Sequence, residues 1–367
     1  GGGAGQRDAP SRRDEVAATL PHGVASGYSG VVQDGWFPDA ATLMSEGGAQ
    51  EALHGRAVEA TRARFGPRVF VRGVVEVSNY CRENCQYCGM RRDNRALDRH
   101  RANLDLLLKL LLEDRPASLT DLNIQAGEDP VAAREVVLPL VKALRRETSL
   151  GISVCLGTLP ENLTAELQAA GAATYIIKFE LADPELYRRL QAPGNLEERV
   201  RHIRWLASQG WHVSSGFIAG LPGQTLESLL ENFRLASELP LIGCSVSPFV
   251  PGDETPLLGE AGAGIGLTLN SMAALRLMRP DWVIPAVSAL NLAEPGDGYR
   301  RGLRTGANLC TINLTPDDLR GDYLLYRRDR FIMTEERILR AISDEGLEAS
   351  GEGLGSFLAS SRCEAAA

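Results

Sequence analysis

The chain has 367 residues, 44% of them hydrophobic and 23% charged, with a formal net charge of −8. This is ordinary globular composition, enough for one large core, and it excludes a basic nucleic-acid binder or a disordered chain. No apolar run reaches the roughly 20 residues of a membrane span, and seven cysteines, three of them clustered, do not form a disulfide framework.

Residues 1–13 read as a flexible lead, and 15–65 as an N-terminal helical extension broken around Gly27 to Gly30 and ending at Gly66-Pro67. Eight short β-rich runs follow, at 69–78, 119–125, 152–156, 174–179, 213–219, 244–250, 283–289 and 309–314. Helical patterns separate most of them, at 104–113, 132–147, 161–171, 196–210, 226–239 and 267–278. Strands alternating with helices imply parallel pairing through crossovers. Eight such units predict an α/β fold, a TIM-like (β/α)8 barrel over residues 66–345. A doubly wound sheet is the competitor, but no GxGxxG turn follows the first strand. One more helix is expected over 335–341, then a small, polar, loose tail within 346–367.

In such barrels the active site lies at the C-terminal ends of the strands. Directly after the first strand stands Cys81-Arg82-Glu83-Asn84-Cys85-Gln86-Tyr87-Cys88. Three thiolates can hold three irons of a 4Fe–4S cluster and leave the fourth open, since such clusters usually take four Cys. The competing reading, structural zinc, wants four ligands in paired clusters, and His100 is the only His nearby. Polar or Gly-rich groups sit at other strand ends: Gly127-Glu128-Asp129-Pro130, Gly157-Thr158, Lys178-Phe179-Glu180 and Gly216 to Gly223. Taken singly, these also suit an ordinary strand–helix turn, a capping carboxylate or a solvated helix face.

The cysteine spacing and the order of these strings resemble the radical S-adenosylmethionine (SAM) superfamily. The resemblance implies one 4Fe–4S cluster on Cys81, Cys85 and Cys88, whose open iron chelates SAM. An electron then cleaves SAM to methionine and a 5′-deoxyadenosyl radical. It assigns SAM contacts to Tyr87, Gly127, Glu128, Asp129, Glu180, Arg199 and Ile218. Glu180 matches the ribose-binding acid, Arg199 the partner of the SAM carboxylate and Ile218 the adenine-binding strand. Cys155 is a further candidate for the SAM pocket.

Several strings are similar to one branch, that of methylornithine synthase, the iron–iron hydrogenase maturase and biotin synthase. They include Cys88-Gly89-Met90-Arg91-Arg92-Asp93-Asn94, Gln125-Ala126-Gly127-Glu128-Asp129-Pro130 and Gly220-Leu221-Pro222-Gly223-Gln224-Thr225. Positions matching biotin synthase's second cluster hold Gln125, Ser153 and Ser214, which disfavours sulfur insertion. The ending Asp322 to Tyr326, then Phe331 to Arg337, favours an amino-acid mutase of the methylornithine synthase type; precursor assembly of the maturase type is the alternative. Strand six offers Ser245 and Ser247 where an Arg would hold an amino-acid carboxylate.

Substrate contacts are expected from Ser245, Ser247, Ser288, Asn291, Arg300 and Asn313, with Asp297 and Thr311 beside them. That wall suits a small polar substrate, with any carboxylate paired to Arg300. Cys244 and Cys310 read as buried packing residues, and His202 and His212 as helix-packing residues beside Trp205 and Trp211. The remaining expectations are an electron donor such as flavodoxin or ferredoxin, no nucleic-acid or membrane partner, and a cytoplasmic setting.

Overall fold

The computed structural model describes residues 36–328 and 330–365, so the flexible lead and the break at Gly27 to Gly30 lie outside the described residues. Seven parallel strands form the sheet: β1 Arg68–Ser78, β2 Asp121–Ala126, β3 Gly151–Cys155, β4 Thr174–Ile176, β5 His212–Ala219, β6 Gly243–Pro248 and β7 Leu309–Asn313. Their order is β6-β5-β4-β3-β2-β1-β7; strands consecutive in the chain from β1 to β6 are joined by helical crossovers, and β7 pairs with β1. The predicted run 283–289 is not a continuous strand. It makes two isolated bridges, Val283 to Gly243 and Pro285 to Leu309. Proline has no N–H for a ladder, and the chain turns into the helix Leu290–Ala293. The two bridges nonetheless carry the ring from β6 to β7, completing the predicted TIM-like barrel as a ring of seven strands and one broken stave.

The period-two alternation of β1 shows how the barrel is filled. Val69, Val71, Val75 and Val77 face outward and join the main core with Leu107 and Leu111 of the helix Leu104–Leu112. Phe70 points inward at the floor. Above it Arg72, Val74 and Glu76 line an internal cavity. The same division recurs elsewhere. Cys244 and Cys310 are fully buried in the outer core, as expected, while Asn123, Gln125, Ser214, Ser245, Thr311 and Asn313 face inward. Barrels packed solid carry layers of Val, Ile and Leu inside. Here polar side chains replace them, and the upper barrel is hollow.

The tail is not loose. Residues Glu348–Ala349 form β8, which pairs with the start of β1, and the helix Leu354–Ala365 follows. Leu354 and Phe357 are buried against Phe65, Phe70, Val283 and Leu309. The Phe357 ring lies 5.4 Å from both Phe65 and Phe70. This segment plugs the floor of the barrel. Upstream, the helix Gly47–Phe65 packs on the helix Ile265–Met278, with Ala57 and Ala273 in contact. Among the described residues no helix is long and apolar enough to cross a membrane.

Candidate active site

The chain leaves the barrel at Ser78 and returns beside β1 at residues 100–102, so the cysteine loop is held at both ends. Asn79 N donates to His100 O at 3.3 Å and Ala102 N to Val77 O at 2.7 Å. Asn79 also accepts from His100 N at 2.7 Å. Between these anchors Cys81, Cys85 and Cys88 line one cavity. Burial, then the neighbouring thiols, push Cys85 well above the ordinary thiol range and Cys88 up to about 12. Iron has to displace those protons, because the thiolate is the ligand. Tetrahedral zinc wants four ligands. The loop brings three thiols to this cavity, which suit three corners of a 4Fe–4S cluster; a fourth cysteine that lines it, Cys155, comes from the end of β3 and not from the loop.

Opposite the loop, the ends of β2 to β5 build the rest of this cavity. Arg199, on the helix Leu196–Ser208, is buried and donates to Thr158 Oγ1 at 2.8 Å and Glu128 Oε2 at 3.5 Å. Its Nε has no partner. Arg82 holds the other Glu128 oxygen at 2.8 Å. Tyr87 lies beside the thiols with its hydroxyl buried against Cys85. Glu180 takes a left-handed backbone, φ 65°, which costs energy for a residue with a Cβ. Its amide and carbonyl tie β5 at Gly216 O and Ile218 N, at 3.1 and 2.9 Å, and its side chain lines the cavity. Burial raises the Glu180 carboxyl above its usual range against the opposing pull of Lys178 and Arg199. Gly127 is required here, since a Cβ would lie 2.2 Å from Tyr80 O. The cavity thus offers backbone carbonyls, two acids, a cation with a spare N–H and an apolar wall at Ile218 and Phe249, which together fit SAM.

A second cavity lies deeper in the barrel and shares Gln125, Cys155, Ile176, Lys178, Ser247 and Tyr326 with the first. Among the described residues its wall carries three cations, Arg72, Lys178 and Arg330, and one acid, Glu76. Arg330 grips Glu76 in a bidentate pair at 2.9 and 3.1 Å. Lys178 donates to Ser247 Oγ at 3.3 Å. Burial pulls the Lys178 ammonium down, but Glu180, Tyr326 and two cysteines outweigh it and hold it above its ordinary range. Arg72 donates to Thr311 Oγ1 at 3.3 Å and leaves its Nε unpartnered. Asn291 is 1% exposed with neither amide atom bonded. Buried polar groups are nearly always paired, so Asn291 marks a place where a ligand's polar atoms would sit.

The structure gathers Tyr87, Gly127, Glu128, Cys155, Glu180, Arg199 and Ile218 around the cluster loop. It also gathers Ser245, Ser247, Ser288, Asn291, Thr311 and Asn313 around the inner cavity. The Asp129 side chain caps the helix at Pro130, accepts from Ser78 at 2.8 Å and pairs with Arg101 at 2.7 Å, while the role the resemblance gives this motif belongs to its backbone carbonyls. One expectation is corrected. Arg300 turns away to Glu345 at 2.8 Å and Asp297 at 3.4 Å, so it cannot hold a substrate carboxylate. Asp297 likewise stands outside the cavity. His202 stacks on Trp205 at 5.4 Å, the packing role expected. The sequence reading missed Arg72, Glu76 and Arg330. The alternation of β1 carries the signal for the first two. Arg330 comes from a loop with no periodicity.

A hollow α/β barrel with a three-thiol loop at the mouth and a cavity beneath it has the architecture of a cluster-binding barrel enzyme. The Radical SAM superfamily profile matches residues 75–236. The [FeFe] hydrogenase maturase subunit HydE of Thermotoga maritima is 33% identical over 286 residues, covering 78% of this chain and 82% of that protein. The 3-methylornithine synthase of Methanosarcina barkeri is 29% identical over 281 residues, covering 76% and 79%. The crystal structure of a methylornithine synthase superposes with a TM-score of 0.75 at 26% identity, covering 84% of this chain and 92% of that one. The chain belongs to the radical SAM superfamily and is an enzyme that uses a 4Fe–4S cluster and SAM.

Proposed function

We propose that this enzyme modifies a small, carboxylate-bearing anionic substrate held in the inner cavity, with SAM held between that cavity and the cysteine loop. The observation that carries this reading is the wall common to the two cavities, with three cations on the inner side. Cluster and SAM, when bound, supply one-electron chemistry that abstracts a hydrogen atom from an unactivated carbon. The chain's own residues do the rest. Arg199 would pair with the SAM carboxylate through its spare N–H, and Glu180 would accept from the ribose hydroxyls. Lys178 and Arg72 would pair with the substrate's anionic end, since an unpaired buried charge is expensive. Asn291 would take one donor and one acceptor of the substrate. The polar, enclosed walls keep bulk water and large molecules away from the reacting carbon.

Relatedness to the hydrogenase maturase subunit supports a precursor-assembly reaction of this kind. Amino-acid rearrangement is the second reading, supported by the superposition on methylornithine synthase. An ornithine skeleton carries two ammonium groups, and among the described residues the inner wall offers them one acid, Glu76, already paired with Arg330.

Anaerobically reconstituted protein given dithionite and SAM is expected to form 5′-deoxyadenosine, and Cys85→Ala to hold no cluster and form none. Deuterated substrates then separate the readings. Deuterium should pass into 5′-deoxyadenosine from small anionic carboxylates and not from lysine; transfer from lysine would reverse the ranking.

A further inference from the structure

Arg99 belongs to neither cavity, yet it makes the densest set of bonds in the cysteine loop. Its guanidinium donates to Asn79 O at 2.5 Å, Met90 O at 2.9 Å, Arg91 O at 2.7 Å and Asn94 O at 3.2 Å. Asn79 lies two residues before Cys81, and Met90 two residues after Cys88. One side chain therefore ties the entry of the loop to its exit. An arginine has five N–H donors in a fixed fork, and here backbone oxygens take the four on its two terminal nitrogens. Among the described residues no carboxylate lies within ion-pair distance of Arg99; every neighbour it bonds is a neutral carbonyl. Three other arginines around the loop differ. Arg82 pairs with Glu128, Arg92 with Asp93 and Arg101 with Asp129. Arg99 thus brings an uncompensated positive charge to the base of the thiol loop, and it is only partly exposed to screening water.

A charge fixed in a partly buried place acts through a lower dielectric than water. A cluster gains one negative charge when reduced, and its potential follows net charge, hydrogen bonding and exposure. We propose that Arg99 is a positioning residue of the cluster site. Its four bonds fix the loop that presents the three thiols, and its unpaired charge raises the reduction potential of the cluster held there. This rests on the chain binding a 4Fe–4S cluster and extends that reading to how readily the cluster accepts an electron.

The test compares Arg99→Lys, which keeps the charge but not the fork, with Arg99→Gln, which removes the charge. Iron content, far-ultraviolet circular dichroism and the midpoint potential from an EPR-monitored titration without SAM are read on reconstituted protein. Arg99→Gln should fold and shift the midpoint to more negative values, by a tenfold change in the reduction equilibrium, about 59 mV for one electron. Arg99→Lys should keep the wild-type midpoint but lose iron to a chelator faster. A folded Arg99→Gln protein that cannot load, beside an Arg99→Lys protein that can, would also support the role. An Arg99→Gln cluster at the wild-type midpoint overturns it. So does an Arg99→Lys protein that loads no iron while Arg99→Gln does, or loss of the fold in both variants. Wild-type protein that takes up no iron overturns this inference together with the cluster reading. An unmoved midpoint in a loaded Arg99→Gln protein overturns this inference alone.

Discussion

Arg199 shows how much a single side chain can be asked to do. It is 6% exposed, bonded to Thr158 and close to Glu128, with one N–H left over inside the outer cavity. Glu128 keeps Arg82 when Arg199 is removed, so Arg199→Ala does not strand an acid. The expected loss is one charge-assisted contact with SAM, about 1.5–3 kcal/mol, or roughly ten- to hundredfold in affinity. Calorimetric titration of SAM into cluster-loaded Arg199→Ala checks it; unchanged affinity would remove Arg199 from the SAM site. Position by position, the motifs brought Cys81, Cys85, Cys88 and Gly127 to one cavity, where the backbone does the holding. Arg300, chosen as the nearest cation on a loop, turned elsewhere. A charged side chain there can turn to a partner far away in sequence, and Glu345 is such a partner.

At the scale of elements, the floor plug is where sequence pattern was weakest. Among the described side chains of the helix Leu354–Ala365, Leu354 and Phe357 are buried and Leu358 packs beside them, an apolar set at helical spacing but confined to a single turn. Phe357 is 5% exposed and fills the space between Phe65 and Phe70. Phe357→Ala is expected to cost about 3–5 kcal/mol, the usual range for removing a buried ring. Urea unfolding of the full chain would measure it, and a change under about 1 kcal/mol would show that the helix rests on the floor without supporting it. The barrel helices and six of the eight predicted runs were legible because their apolar residues recur at 3.6 or 2 over a full element. The fourth run is cut short at Ile176, where the chain breaks from the ladder toward the left-handed Glu180. The seventh is lost because Pro285 withholds a donor where the ladder needs one.

For the molecule as a whole, the segment 321–333 closes the barrel mouth over the inner cavity. Leu325, Tyr326, Phe331, Ile332 and Met333 line the cavity, and Arg330 reaches through to Glu76 on β1. The side chains of this pair are 12% and 3% exposed. Breaking such a pair on one side strands a buried charge, at a cost of about 3–5 kcal/mol. Arg330→Met should therefore lower stability by that order, and Arg330→Met with Glu76→Gln should recover most of it. Denaturation of the single and double variants checks this; a double variant no better than Arg330→Met would mean the segment is held by its apolar contacts alone.

The broken stave has a consequence for descent. The stretch matching the superfamily as a whole runs from residue 75 to 236 and stops before β6. It covers β2 to β5 and the end of β1, where the thiol loop, Glu128, Glu180 and Arg199 are anchored. Pro285, Ala286, Val287, Ser288 and Asn291, which line the inner cavity, belong instead to the stave joined by two bridges and the turn after it. Single backbone bonds, such as Val283 N to Ile242 O and Ala286 N to Leu309 O, hold the stave in place of a ladder, so inherited changes can reshape this part of the wall without disturbing the shared half. One lineage can thus keep its chemistry and exchange its substrates.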